Sequence, residues 1–222
     1  NEAMILAGGM TLIPTMKHRL ASPETLVDLA DCGLAGIEDL GNVLKIGAMT
    51  RHVDVETSNV VVEGIPALAA LAAKIGDRQV RNRGTIGGSI ANNDPSACYP
   101  AAALALDATI HTNNRDIASD DFFVGMYDTA LEENEIITAV SFPKPSAAAY
   151  AKFPNPASRY AIVGVFVAKG ETVRVAITGA GEDGVFRHEG LETALVGSFA
   201  PEAIETVTVS SNELISDIHA AG

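Results

Sequence analysis

The stretch Arg83-Gly84-Thr85-Ile86-Gly87-Gly88-Ser89-Ile90-Ala91-Asn92-Asn93-Asp94-Pro95 constrains this chain more than any other. Glycines, hydroxyls, amides and a carboxylate crowd together between two apolar segments that read as helices. A buried core element is not built this way. A loop that brings bare backbone N–H groups against an anionic or richly hydroxylated ligand is. Without Cβ, Gly87 and Gly88 permit positive φ and close approach of a ligand, and successive N–H groups can form a concave anion site. A shorter stretch of the same kind, Ala7-Gly8-Gly9-Met10-Thr11, lies near the start. The two loops are expected to share one ligand.

Around these loops the pattern is mixed. Residues 4–7 read as a buried strand that ends at Gly8-Gly9. Thr11 is placed to cap a short helix, with Pro14 in its first turn and Lys17, His18 and Arg19 at its end. Strand, glycine turn and helix N-terminus make a phosphate-binding arrangement; a plain tight turn is the alternative. Residues 25–29 read as a strand and 36–40 with 43–47 as a hairpin about Gly41-Asn42. Thr50 caps a short helix to residue 55, and 65–75 is the clearest helix, with Pro66 at its start and Gly76 after it. Pro100 opens another helix to residue 106, followed by strands at 108–112 and 136–142. Pro143-Lys144-Pro145 begins the best candidate boundary, residues 143–149. Beyond it, 150–153, 160–168 and 172–178 suggest an antiparallel sheet, with helices at 189–196 and 201–207. No repeat and no regular βαβ rhythm is present, so the fold class is α+β.

Composition narrows the function. An apolar share of 47% with 19% charged residues fits an ordinary globular chain. The longest apolar run, residues 65–73, is about half of what a bilayer span needs. No basic n-region opens the sequence. A net charge of −13 argues against nucleic acid or anionic membrane as partner. The densest basic cluster, Arg78, Arg81 and Arg83, reads either as a solvated face or as local positive charge beside a phosphate or a partner. Cys32 and Cys98 make no disulfide framework and suggest a reducing compartment. They are also too few for an iron–sulfur cluster, and the histidines form no metal-spaced pair.

Gly179-Ala180-Gly181-Glu182-Asp183-Gly184 satisfies the G-x-G-x-x-G pattern after a strand. Glu182 and Asp183 would repel a pyrophosphate, and no helix opens at Val185-Phe186-Arg187-His188, so this is read as a hairpin loop. Nucleophilic catalysis has no G-x-S-x-G elbow and no Walker-type motif. Cys98 lacks a paired base in the sequence and reads as a partly buried, unreactive thiol.

The segments "AGGMTLIPTMKHRLASPETLVDL", "IGAMTRHVDVE", "VRNRGTIGGSIANNDPSACYPAAALAL", "NEIITAVSFP" and "SRYAIVGVFVA" resemble the flavoprotein subunits of the molybdenum hydroxylases, in order and over nearly the whole chain. This is the xanthine dehydrogenase family, and the likeness is strongest to the medium subunit of aerobic carbon monoxide dehydrogenase. The resemblance implies a two-part FAD-binding domain of the PCMH/vanillyl-alcohol-oxidase type over residues 1–143, with sub-parts 1–55 and 56–143. A C-terminal domain of antiparallel sheet plus helices would follow over 144–222. It also implies roughly 30 further residues before Asn1 and a helical tail after Gly222. FAD would lie extended, with its diphosphate against Ala7, Gly8, Gly9, Met10 and Thr11 and against Thr85, Ile86, Gly87, Gly88 and Ser89. Lys152 matches a flavin-contacting lysine, Tyr160 a tyrosine over one face of the isoalloxazine, and Ile137 an apolar contact on the adenine side.

Met10 and Ser89 stand where the family usually has a polar residue and often Asn. Cys98 occupies the position of an Asp bonded to the cofactor. A thiol is a poor acceptor beside a carboxylate, so about 1 to 3 kcal/mol of bonding is lost and weakened FAD retention is expected.

The function implied is that of an electron-transfer flavoprotein subunit in a cytoplasmic heterotrimer, peripheral at the inner membrane face through the complex. A large partner would carry the molybdenum cofactor and a small partner two [2Fe–2S] clusters, in a dimer of heterotrimers that reduces a quinone or another acceptor. Catalytic acid–base residues and metal ligands are not expected on this chain. Competing readings are a flavin-depleted assembly or binding module, a stand-alone flavin oxidase or reductase, and the flavin subunit of a related hydroxylase acting on an aldehyde or N-heterocycle.

Overall fold

The computed structural model describes residues 3–211 and 214–216. In chain order, β1 (Ala3–Leu6), α1 (Leu12–Lys17) and β2 (Thr25–Asp28) come first, and the two strands pair in parallel from Ala3↔Thr25 to Leu6↔Asp28. A hairpin of β3 (Ile37–Asp39) and β4 (Val43–Gly47) turns at Gly41, whose φ of +85° suits a residue without Cβ. Helices α2 (His52–Thr57), α3 (Asn59–Gly64), α4 (Pro66–Ala73), α5 (Arg78–Arg81), α6 (Ile86–Asn92) and α7 (Cys98–Ala105) follow. Next come β5 (Thr109–Thr112), β6 (Asp116–Ala118), α8 (Ser119–Phe122), β7 (Phe123–Gly125), β8 (Asp128–Thr129) and β9 (Ile137–Pro143). The remainder is β10 (Ala147–Pro154), β11 (Ala161–Lys169), β12 (Val173–Thr178), β13 (Phe186–Arg187) and α9 (Glu189–Gly197).

Two antiparallel sheets carry the architecture, in the orders β3-β4-β9-β5-β6 and β10-β11-β12-β13. Their strands are β-branched and alternate buried with half-buried positions, the pattern of a sheet packed on one face. Helix α7 lies against β11 and β12, and all of its residues are buried. Its Cys-Tyr-Pro-Ala-Ala-Ala-Leu-Ala sequence explains this, because a helix apolar on every side belongs in a core. One hydrophobic cluster accordingly runs from Leu44 and Ile46 through α4 and α7 to Phe166 and Ala176. The fold is α+β, as the sequence indicates.

The glycine-rich stretch differs from the expectation. It is not a loop but a short helix, α6, and neither Gly87 nor Gly88 has positive φ. Tertiary hydrogen bonds fix its start. Ile86 N–H donates to the Thr50 carbonyl (3.0 Å), Gly87 N–H to that of Ala48 (2.9 Å), and Gly88 N–H to the Thr85 hydroxyl (3.2 Å). Thr85 is thus the N-cap. The concave row of free N–H groups expected at Gly87 and Gly88 does not exist there, because these donors are already taken.

Other boundaries differ for local reasons. Thr50 does not cap α2, since its hydroxyl donates to the Gly36 carbonyl instead (3.0 Å). Thr11 sits at the N-cap of α1 but its side chain makes no capping bond. Helix α7 begins at Cys98 rather than Pro100, and the supposed linker after Pro145 is already strand β10. Pro201–Ile204 is a short 3₁₀ turn in place of a longer helix. The Gly179–Gly184 segment connects antiparallel β12 and β13, a hairpin loop as expected; its end glycines have φ of +87° and +99°.

His52, at the start of α2, ties down the chain that leads into α6. Its backbone N–H donates to the Gly84 carbonyl (3.0 Å), and its Nε2 would stand 2.5 Å from a Cβ at residue 84. The ring is buried beside Tyr99 and its Nδ1 has no partner. Burial, and secondarily Arg81, pushes its pKa down to about 4. Between that value and the ordinary one near 6.5, the unfolded chain binds a proton that the folded chain refuses. Stability is therefore present at neutral pH and lost as pH falls through this window. Urea melts are expected to show about 2 kcal/mol lower stability at pH 5 than at pH 7. His52→Gln should flatten that slope; an unchanged slope would contradict the assignment.

Candidate functional site

A cavity of about 600 Å³ lies between the two glycine motifs, within the usual range for cofactor sites. Ala7 to Thr11 form one wall; Thr85, Gly87, Gly88 and Ser89 form the facing one. The two motifs meet directly. A Cβ on Gly8 would collide with the Arg83 carbonyl, and one on Gly88 would lie 3.4 Å from the Ala7 methyl. The glycines of the second motif divide their work. Gly87 lets α6 seat on the sheet, since its Cβ would come within 2.5 Å of that of Ala48. Gly88 keeps the cavity face bare.

Donors for an anion come from the first motif. Among the described residues, the N–H groups of Gly8, Gly9, Met10 and Thr11 have no hydrogen-bond acceptor, and Gly9 turns the chain with φ of +73°. Such consecutive unpaired N–H groups form a nest for an oxyanion. The second motif brings a close wall, not donors. Ile86 takes no part in the cavity, being fully buried in the core.

At the other expected positions, Cys98, Ile137, Lys152 and Tyr160 all line the same cavity. Cys98 is buried at the start of α7. Lys152 reaches it from β10, with Nζ 3.4 Å from Sγ, and donates to the Lys74 carbonyl at the end of α4 (2.9 Å). Tyr160 is 49% exposed at the cavity mouth. Burial first, then nearby Asp94 and Cys98, raises its phenol pKa.

Ile137 pairs with Thr112 across the β5–β9 ladder, and the Glu135 carboxylate buttresses that strand end. That carboxylate accepts from the Thr112 hydroxyl (2.7 Å), from Glu132 N–H (2.9 Å) and from Arg115 (3.1 Å). Chiefly through Arg115, its pKa is pushed down to about 2.

The second sheet contributes support as well. Gly179 N–H donates to the Pro95 carbonyl (2.7 Å), and the Thr178 hydroxyl is 2.7 Å from the Ala97 carbonyl. These bonds fix the cavity-lining segment from Asp94 to Cys98. Sequence reasoning missed Asp94, Ser96, His52, Glu135 and Arg159 as lining residues. All five fall inside the segments that carry the family resemblance, a signal that includes them without ranking them.

A bare-walled cavity with a nest of unpaired N–H groups fits an extended cofactor carrying a diphosphate. The family of the FAD binding domain in molybdopterin dehydrogenase matches residues 1–145, and the chain belongs to it. It is an oxidoreductase subunit of the molybdenum hydroxylase class, with FAD as its cofactor. The nicotine 6-hydroxylase medium subunit of Paenarthrobacter nicotinovorans is 35% identical, over 98% of this chain and 82% of its own. The carbon monoxide dehydrogenase medium chain of Hydrogenophaga pseudoflava is 37% identical, over 92% and 76%. The solved structure of that dehydrogenase lacking the Mo-pyranopterin moiety has a TM-score of 0.84 at 40% identity, over 91% and 75%. Quinoline 2-oxidoreductase of Pseudomonas putida 86 has a TM-score of 0.86 at 30% identity, over 99% and 82%.

A carboxylate in place of the Cys98 thiol would restore a charged acceptor beside Lys152. Cys98→Asp should therefore tighten FAD binding by roughly tenfold or more in a fluorescence titration. Equal or weaker binding would contradict a cofactor-facing role for this position.

Proposed function

We propose that this chain is the FAD-carrying electron-transfer subunit of a molybdenum hydroxylase. A large partner would oxidise the substrate at a molybdenum cofactor, and [2Fe–2S] clusters on a small partner would deliver electrons here, to be passed to a quinone or other acceptor. When bound, FAD supplies the one- and two-electron chemistry that amino-acid side chains lack. The single observation that carries this reading is the cavity walled by both glycine motifs.

The residues of the chain bind and orient. Gly8 to Thr11 would accept the diphosphate, Gly88 and Ser89 would wall it, and Ile137 would face the adenine end. Lys152, Tyr160 and Cys98 would surround the flavin end. Among the described residues no group of His, Cys, Asp or Glu is placed to hold a metal ion. Likewise no helix there is long and apolar enough to cross a membrane. Unpaired cysteines support a reducing, cytoplasmic setting. The change of sheet between β9 and β10 supports a division between residues 1–143 and 144–222, whereas the sub-parts 1–55 and 56–143 share one sheet through the β4–β9 pairing.

Relatives of comparable identity are named for nicotine and carbon monoxide. Substrate choice therefore belongs to the molybdenum partner, and a hydroxylase of an N-heterocycle is as well supported as one of carbon monoxide.

Expression of the chain alone, and with the subunits encoded beside it, tests the reading. The isolated chain supplied with FAD should show a flavin band near about 450 nm and should join iron- and molybdenum-containing subunits. A colourless chain would favour the flavin-depleted module. A flavin-loaded monomer that turns over substrate without either metal would sink the heterotrimer.

A further inference from the structure

A second cavity, of about 490 Å³, opens beside the first and shares Gly76, Lys152 and Arg159 with it. Its charged lining residues are Lys74, Arg81, Lys152 and Arg159, and no carboxylate lines it. On a chain of net charge −13 with 15 basic residues, four of them converging on one concavity is a pronounced local reversal of sign. Low-dielectric concave walls focus such a field and concentrate counter-ions.

Neighbouring carboxylates offset only part of it. Arg81 is paired with Glu56 at 2.7 Å. The Asp77 carboxyl is engaged first by the Val80 N–H, with Arg159 and Arg81 as lesser influences. Lys74, Lys152 and Arg159 have no ion pair among the described residues. Instead, Lys74 Nζ rests on the Tyr150 carbonyl (3.4 Å) and over its ring, while Lys152 Nζ is held by the Lys74 carbonyl. Neutral acceptors fix these ammonium groups without neutralising them. Arg159 projects from a tight turn in which its own N–H donates to Asn155 (2.9 Å) and its φ is +62°, a costly conformation for a residue with a side chain.

We infer that this cavity binds an anionic small molecule carrying a phosphate or carboxylate group, alongside FAD and not in its place. The volume suits a molecule larger than a single ion. A bound anion would touch Lys152, the residue that also reaches Cys98 in the first cavity, so the two sites share this side chain as well as that of Arg159. Its placement beside the flavin end rests on the FAD reading.

Calorimetric titration of the apo and FAD-loaded chain with sodium phosphate, and separately with citrate, at fixed ionic strength tests the inference. Saturable binding to both forms without release of flavin is expected, and the preferred anion identifies the chemical group. Lys74→Gln and Arg159→Gln should each weaken it by roughly tenfold or more, with Arg159→Lys retaining most of it. Displacement of FAD by either anion, equal affinity in the variants, or no saturable heat would overturn it. A chain that never holds flavin would defeat the FAD reading, while titration of the apo form still decides the pocket.

Discussion

The site depends on how residues 84–87 dock onto the chain that leaves strand β4. Three backbone bonds tie the two segments together: His52 to Gly84 and Ile86 to Thr50, the pair that makes the Arg51–Thr85 bridge, and Gly87 to Ala48. Gly87 permits the approach, and Gly84 leaves room for the buried His52 ring. Once α6 is seated there, Gly88 faces Ala7 and the first motif has a partner. A buried backbone group costs free energy unless paired. Here the pairing of α6 leaves the open donors on the opposite wall, between Gly8 and Thr11.

Both sheets are needed to complete this arrangement. The first holds α6 and Ile137; the second anchors residues 95–97 and supplies Lys152 from β10. Lys152 also donates to the last turn of α4, where a cation complements the carbonyl end of a helix. The cavity is thus assembled from parts far apart in sequence.

Much of this site is legible in the amino-acid sequence. The two glycine motifs share a cavity, and of the residues assigned to the cofactor only Ile86 lies outside it. The nature of α6 is not legible there. Gly-Gly is a poor helix former, and what starts the helix is a set of bonds to Thr50 and Ala48, some 35 residues earlier, which no local pattern reveals. The same holds for Thr50, whose hydroxyl reads as a cap but serves Gly36. The second cavity is half visible. Arg81 belongs to a cluster that reads as either a solvated face or charge beside a phosphate, but Lys74 with Arg81 and Lys152 with Arg159 lie on two segments that only folding brings together.

In the proposed reading, the unpaired N–H groups of Gly8 to Thr11 hold a diphosphate. Titration of the apo chain with FAD and with riboflavin, which has the same ring system but no diphosphate or adenosine, tests it most directly. Several charge-assisted bonds at about 1.5 to 3 kcal/mol each predict that FAD binds at least roughly a hundredfold more tightly, and that Gly8→Val removes most of the difference. Equal affinities for the two flavins would contradict the account.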